Sequence, residues 1–196
     1  MTTPEMLPLV QRWLFPTLWA VWAFYWWLTS RDVKETARRE PWGSRALHLG
    51  PMLLAALLLA SPGYGVPGLS ARVVPWAPWL YWLGVGLTCA GLLFAVWARR
   101  TIGRNWSAIV TLKKDHELVT TGPYALVRHP IYTGLLLGFL GWAVAVDRWR
   151  GPLAVAIVFV ALLRKYRLEE RWMHERFGSA YDAYRARVKA LVPLLF

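Results

Sequence analysis

The sequence predicts an all-α integral membrane protein with about five transmembrane helices. Three observations carry this prediction: 57% of the 196 residues are hydrophobic, 14 residues are Trp, and the few charged side chains are concentrated between long apolar runs. A soluble domain of this length rarely carries so large an apolar fraction. Segregation of basic residues into the loops is typical of a chain that crosses a bilayer.

Five apolar segments are the candidates for the spanning helices. They cover about Leu7–Thr29, Leu47–Ser61, Trp76–Ala98, Ile131–Val146 and Pro152–Leu163. A spanning helix needs roughly 20 apolar residues, so the first and third segments are long enough, whereas the other three are short. The Gly and Pro that punctuate Asp147–Pro152 predict a tight turn, and hence a helical hairpin of the last two segments.

The basic residues predict the orientation of the chain. Nineteen Lys and Arg residues fall in the stretches after the first, third and fifth segments, and four fall on the other side. Loops rich in Lys and Arg stay in the cytoplasm. We therefore expect a multi-pass protein with its N-terminus outside and its C-terminus in the cytoplasm, in a bacterial or archaeal inner membrane.

The formal net charge of +12 does not indicate a nucleic-acid-binding protein. The basic residues flank apolar runs instead of forming one interleaved patch, so membrane lipids with anionic headgroups are the expected partners. Cys89 is the single cysteine, which excludes a disulfide within the chain and a Cys/His metal cluster. No metal is expected.

The polar chemistry is expected in the C-terminal half. Residues 1–98 hold the first three apolar segments and residues 99–196 hold the other two with the polar loops, within one structural domain. The stretch Arg164–Phe196 is expected to continue the fifth helix as far as Gly178. An amphipathic helix on the membrane surface, carrying Tyr181, Tyr184 and Val188 and ending at Pro193, is expected to follow.

The densest polar stretch runs from His116 to Gly134. Pro130 suits the first turn of a helix, because the N–H group that it lacks would be unsatisfied there. The free N–H groups of such a turn can receive an anionic group. Arg128, His129 and Tyr132 are expected to lie together where this helix enters the membrane. The residue types alone leave two alternatives for this group: a binding pocket, or an interfacial belt of Arg and Tyr.

The order of these residues resembles the isoprenylcysteine carboxyl methyltransferase and phospholipid methyltransferase superfamily of membrane enzymes. The three parts of the family signature are present as His116, Leu118 and Val119, then Gly122 and Tyr124, then Arg128, His129, Pro130, Tyr132 and Gly134. A second element, an acidic pair before Phe-Gly-x-x-Tyr-x-x-Tyr, is present as Glu169, Glu170, Phe177, Gly178, Tyr181 and Tyr184. The resemblance covers about Gly103–Pro193.

The resemblance implies a cytoplasmic pocket for S-adenosylmethionine, with S-adenosylhomocysteine as the product, formed by the loop before the fourth apolar helix and the C-terminal helix. The implied cofactor-binding residues are His116, Glu117, Leu118, Val119, Tyr124, Arg128, His129, Pro130, Ile131, Tyr132 and Glu169. Glu169 would face the amino group of the cofactor.

The resemblance also implies two catalytic residues, Lys165 and Glu169. The family usually has an Arg in contact with the methyl acceptor four residues before this Glu, and Lys165 here keeps the charge but loses the bidentate fork of Arg. The alternative is an exposed ion pair, since residues four apart share a helix face.

The expected methyl acceptor is a lipophilic small molecule or a lipid-linked group. A carboxylate, as in a prenylcysteine-like substrate, is anionic at neutral pH and needs no base. A thiol or a lipid amine must lose a proton, and His129, His116 or Glu169 would then be the candidate bases. In each case the protein mainly aligns the acceptor with the methyl group.

Two other interpretations stay open. Membrane sterol and steroid reductases, which use NADPH, resemble the chain around Arg128–Tyr132, but they commonly carry an acidic residue where Leu135 follows Gly134 here. A non-enzymatic membrane scaffold or carrier would explain the apolar segments, although it leaves the polar cytoplasmic motifs without a role.

Overall fold

A computed structural model of the protein describes residues 6–31, 33, 36–61, 67–75, 77–106, 111–113 and 117–193. The chain divides into two compact units, Met1–Asp32 and Val33–Phe196. The first unit contains helix α1, Met6–Thr29, in which the rings of Trp22 and Trp26 stack with their centroids 4.2 Å apart.

The second unit consists mainly of helices. They are α2 (Trp42–Ala60), α3 (Pro67–Ser70), α4 (Pro78–Ile102), α5 (Pro130–Val146), α6 (Arg150–Phe177) and α7 (Ser179–Arg187), with 3-10 turns at Gly103–Asn105 and Gly122–Ala125. Each of the five predicted apolar segments corresponds to one long helix, so the helical fold class is confirmed. A short antiparallel ribbon of β1 (Thr36–Arg39) and β2 (Thr111–Lys113) is an addition that the sequence does not predict.

Two helical stretches among the described residues are long and apolar enough to cross a bilayer, Trp42–Ala60 and Pro78–Asn105. Only 17% and 28% of their apolar windows are buried in the protein, which distinguishes them from the buried core helix of a soluble protein. α2 is long enough to cross a bilayer because it begins at Trp42 and not at the predicted Leu47. α1, with 24 residues, also has the length of a spanning helix.

α4 and α5 approach each other closely through small residues. A Cβ atom on Gly91 would lie 2.5 Å from the carbonyl oxygen of Gly134. One turn away, the hydroxyl of Thr88 donates a hydrogen bond of 3.0 Å to the carbonyl of Gly138. Small residues permit this backbone contact between membrane helices, so Gly138 serves packing.

The predicted hairpin between α5 and α6 is confirmed. Asp147 ends α5 in the left-handed conformation, with a φ of 47°. Its carboxylate accepts hydrogen bonds from Arg72 Nη1 at 2.7 Å and from the Val74 amide at 3.2 Å. The hairpin turn therefore anchors the loop between α3 and α4, at the end of α5 far from the polar motif.

α6 is one continuous helix through the apolar segment and beyond it, as predicted. Residues Pro152–Leu163 form its apolar part, and the residues from Arg164 onward, which include Lys165 and Glu169, lie outside the apolar segment. Gly178 ends the helix with a positive φ of 52°, a conformation that glycine adopts at little cost.

The C-terminal tail differs from its prediction. α7 ends at Arg187 and not at Pro193. The face that carries Tyr181 and Tyr184 is buried in the protein, and the Tyr184 hydroxyl donates a hydrogen bond of 2.6 Å to the carbonyl of Tyr124. This face therefore packs on the turn before α5 and does not lie on the membrane surface.

Candidate active site

The segment before α5 is held in place by the C-terminal tail. Gly122, with a φ of 59°, begins the turn Gly122–Ala125. The backbone amides of Arg128 and His129 then donate to the carbonyls of Lys189 and Ala190 at 2.8 and 3.0 Å. These bonds fix the position of the Arg128 and His129 side chains at the start of α5.

Arg128 forms a buried ion pair with Glu170 of α6. Its Nε and Nη2 atoms donate to Glu170 Oε1 at 2.8 and 2.5 Å, and its Nη1 atom donates to the carbonyls of Arg185 and Val188. The two side chains are only 8% and 9% exposed. The guanidinium thus ties α6, the tail and the start of α5 together with charge-assisted hydrogen bonds.

His129 lies between the two carboxylates of the acidic pair. Its Nε2 atom is 3.2 Å from Glu170 Oε1, and its Nδ1 atom is 3.6 Å from Glu169 Oε2. The imidazole is parallel to the ring of Tyr132, with 5.4 Å between centroids. Burial lowers the pKa of His129, but hydrogen bonds to Glu169 and Glu170 outweigh burial and raise it above its ordinary value. The protonated imidazole is therefore favoured.

Glu169 is the carboxylate of the pair that stays accessible. Its side chain is 24% exposed, and the Tyr132 hydroxyl donates to its Oε1 atom at 2.5 Å. Burial raises the pKa of Glu169, but the hydrogen bond from His129, the charge of Lys165 and the hydrogen bond from Tyr132 hold it below its ordinary value. Glu169 is therefore an anion that can meet a cationic group of a ligand.

Lys165 lies one helical turn before Glu169, as the spacing predicts. The side chain is 9% exposed, with Nζ 5.2 Å from the centroid of the Tyr132 ring. Burial lowers the pKa of Lys165, against the charges of Glu169 and Glu40. The alternative of an exposed ion pair is wrong, because Lys165 is buried in the cluster.

A second buried polar group, not predicted from the sequence, joins α2 to α6 beside Lys165. Glu40, just before α2, accepts a hydrogen bond of 2.8 Å from the Ser44 hydroxyl and lies 3.5 Å from His48 Nε2. Arg164 donates to Ser44 Oγ at 3.0 Å and to its carbonyl at 3.1 Å. The sequence feature that could have indicated this group is the presence of Glu40 and His48 at the start of an apolar segment, where ionisable residues are rare and often functional.

The other predicted cofactor-binding residues are spread over the loop before α5 and the first turn of that helix. Tyr124 and Pro130 are buried, Leu118, Val119 and Ile131 are partly buried, Glu117 is exposed, and His116 lies outside the described residues. Of the predicted set, the structure brings together Arg128, His129, Tyr132, Lys165 and Glu169. Contact of any of them with a cofactor stays a prediction.

No three or more His, Cys, Asp or Glu side chains are arranged to hold a metal ion in the part of the chain that the structure describes. The expectations of no metal and no nucleic acid stay predictions.

The match to a known family decides between the interpretations left open by the sequence. The family model for phospholipid methyltransferases matches residues 79–180, just over half of the chain.

The chain belongs to the phospholipid methyltransferase family.

The matched range contains the cluster from Arg128 to Glu170, whereas Glu40 and His48 lie outside it. The NADPH-dependent reductase and the scaffold are therefore not supported, and the resemblance in the motifs is confirmed.

The chain is also similar to individual methyltransferases. The chain is 35% identical over 118 residues to the protein-S-isoprenylcysteine O-methyltransferase of Schizosaccharomyces pombe. This match covers 57% of this chain and 48% of the relative. It is 30% identical over 149 residues to protein-S-isoprenylcysteine O-methyltransferase B of Arabidopsis thaliana, which is 74% of this chain and 72% of the relative.

A solved structure also resembles the fold. It is that of the eukaryotic intramembrane Ras methyltransferase ICMT (isoprenylcysteine carboxyl methyltransferase), with a TM-score of 0.56 and 26% identity, covering 75% of this chain and 52% of that one. The chain thus spans about half the length of this structure and of the fission yeast relative. Together with the apolar helices α2 and α4, the likeness identifies a membrane protein.

Proposed function

We propose that the protein transfers a methyl group from S-adenosylmethionine to a lipophilic or membrane-associated acceptor at the cytoplasmic face of the membrane. The observation that carries the proposal is the cluster of His129, Tyr132, Glu169 and Lys165, where the polar start of α5 meets the charged part of α6. Family membership and the names of the relatives support methyl transfer.

The chemistry of the cluster fits the methyl donor. S-adenosylmethionine carries a cationic ammonium and a cationic sulfonium, and the cluster offers the accessible anion Glu169 beside the ring of Tyr132, whose face attracts cations. Glu169 would hold the ammonium, and the Tyr132 hydroxyl and His129 would keep the carboxylate oriented. When bound, S-adenosylmethionine supplies a methyl group that its sulfonium has already activated.

A carboxylate, such as that of a prenylcysteine-like molecule, is the acceptor with the most support. Lys165 offers a cation one turn from Glu169, which would orient an acceptor carboxylate through a charge-assisted hydrogen bond. An ionised carboxylate needs no base. His129 is a poor base for a thiol or an amine, because the two carboxylates beside it favour the protonated ring. A thiol or lipid amine acceptor is therefore less well supported.

The proposal includes a multi-pass topology in a bacterial or archaeal inner membrane. About five spans, α1, α2, α4, α5 and the apolar part of α6, would leave the N-terminus outside and the C-terminus in the cytoplasm. Residues 1–98 would hold the first three spans, and residues 99–196 would form the catalytic region, which includes the hairpin of α5 and α6. The excess of Lys and Arg in the stretches after α1, α4 and the apolar part of α6 supports this orientation. The short spans would be accommodated by local thinning of the bilayer.

Two measurements on the purified protein test the proposal. Calorimetric titration with S-adenosylmethionine, and separately with NADPH, is expected to show binding of S-adenosylmethionine alone. Transfer of a radiolabelled methyl group to a panel of a prenylcysteine carboxylate, a lipophilic thiol and a lipid amine is expected to label the carboxylate. Binding of NADPH without binding of S-adenosylmethionine would refute the proposed donor, and labelling of the thiol or the amine alone would refute the proposed acceptor.

A further inference from the structure

Lys165 is influenced by two carboxylates from distant parts of the chain. Glu169 follows it by one turn of α6, Glu40 precedes α2, and the charges of both act on the Lys165 ammonium. Lys165 and Glu40 are both buried. A buried ammonium is costly unless counter-charges and hydrogen bonds lie close by, so the environment of Lys165 depends on both acids.

The position of Glu40 is fixed by contacts of its own. The Ser44 hydroxyl donates to one carboxylate oxygen, and His48 Nε2 lies near the other. Arg164, the neighbour of Lys165, donates to both oxygen atoms of Ser44 and so ties this group to α6. Residues 40 to 48 lie outside the range of the family match, so the family motifs do not account for this arrangement.

Glu169 and Glu40 would have different roles in the proposed reaction. If Glu169 is engaged by the ammonium of the donor, then Glu40 is the one of the two carboxylates left to balance Lys165. The Lys165 ammonium has three N–H donors, enough to contact Glu40 and an acceptor carboxylate together. We propose that Glu40 is a positioning residue that keeps Lys165 charged and oriented toward the acceptor carboxylate while the donor engages Glu169. This inference rests on the proposed function.

The inference predicts a specific pH dependence. Among the described residues, the charged and titratable groups around Lys165 include Glu169 and Arg164 on α6, Glu40 and His48 at the start of α2, and Tyr132 on α5. Burial already lowers the pKa of Lys165, and Glu169 and Glu40 oppose that effect. Removal of the Glu40 charge lowers this pKa further, so Lys165 loses its charge at a lower pH.

The experiment compares Glu40→Gln with the wild-type protein across the neutral and alkaline range. We expect the alkaline fall in kcat/KM for the acceptor to move to lower pH, while the Kd of S-adenosylmethionine is unchanged. The double variant Glu40→Gln/Lys165→Arg is expected to regain alkaline activity, because a guanidinium stays charged there. Glu175→Gln, which removes an exposed carboxylate on α6, is the matched control and should keep the wild-type profile.

A second measurement gives the pKa of Lys165 without following turnover. The chain has five Lys residues, so a carbon NMR titration of isotope-labelled lysine can follow Lys165, with its signal assigned by Lys165→Arg. Glu40→Gln is expected to lower the Lys165 pKa. An unchanged pKa overturns the inference, as does an activity loss that is equal at every pH and is not restored by Lys165→Arg. A wild-type protein that binds no S-adenosylmethionine would instead refute the proposed function.

Discussion

Glu169 and Glu170 are adjacent and chemically identical, yet the structure gives them different environments. Glu169 is partly exposed and accepts a hydrogen bond from Tyr132, whereas Glu170 is buried and bonded twice to Arg128. Replacement by Gln removes one negative charge at nearly constant volume in each case. We expect Glu169→Gln to weaken donor binding and Glu170→Gln to destabilise the fold.

The magnitudes follow from the contacts that each variant loses. Glu169→Gln would lose a charge-assisted hydrogen bond to the donor ammonium, worth about 1.5–3 kcal/mol, which corresponds to about 10- to 150-fold weaker binding. The demethylated product keeps the ammonium and should lose as much. Glu170→Gln leaves the Arg128 guanidinium buried without its counter-charge, and breaking a buried pair in this way costs about 3–5 kcal/mol.

The assay is calorimetric titration with S-adenosylmethionine and S-adenosylhomocysteine, beside thermal unfolding in the same detergent. Glu169→Gln should bind both ligands weakly and unfold near the wild-type temperature, because Glu170 and Glu40 still balance the neighbouring cations. Glu170→Gln should unfold at a clearly lower temperature. Wild-type affinity in Glu169→Gln would refute the donor assignment, and a donor-binding defect in a thermally unaltered Glu170→Gln would show that the two roles are exchanged.

Three further predictions concern the cluster, the helix packing and the topology. Tyr132→Phe removes the 2.5 Å hydrogen bond to the acidic pair but keeps the ring, so donor binding should weaken by about 5- to 150-fold, or about 1–3 kcal/mol, without a change in unfolding temperature. Gly91→Val should lower the unfolding temperature because its Cβ would lie 2.5 Å from a facing carbonyl, whereas Gly86→Val, with open space around the Cβ, should not. The topology can be tested by cysteine labelling of intact cells in a variant that lacks Cys89. A cysteine in place of Trp149 should react with a membrane-impermeant reagent, whereas a cysteine in place of Glu175 should not. The reverse pattern would contradict the proposed topology.

The helical layout is largely predictable from the sequence, because its signals are local. Apolar runs indicate the long helices, and Gly178 marks the end of α6. The four-residue spacing of Lys165 and Glu169 already places both on one helix face. These features depend on residues close together in the chain, so they need no knowledge of how the helices pack.

The remaining features depend on contacts between distant residues. Arg164 and Ser44 are 120 residues apart, and no local pattern predicts that this contact brings Glu40 to Lys165. The different roles of Glu169 and Glu170 follow from the rotation of α6 against α5, since successive helix residues point about 100° apart. The tail helix ends early because residues beyond Arg187 pair with the segment before α5, a partner that hydrophobic periodicity does not indicate.

A crystal structure of the protein with bound S-adenosylhomocysteine would show whether Glu169 binds the amino group of the ligand. We predict that the amino group of the ligand lies within hydrogen-bond distance, about 3 Å, of the Glu169 carboxylate, with the ion pair of Arg128 and Glu170 intact beside it. A ligand bound away from the start of α5, or one whose amino group is turned away from Glu169, would contradict the proposed donor site.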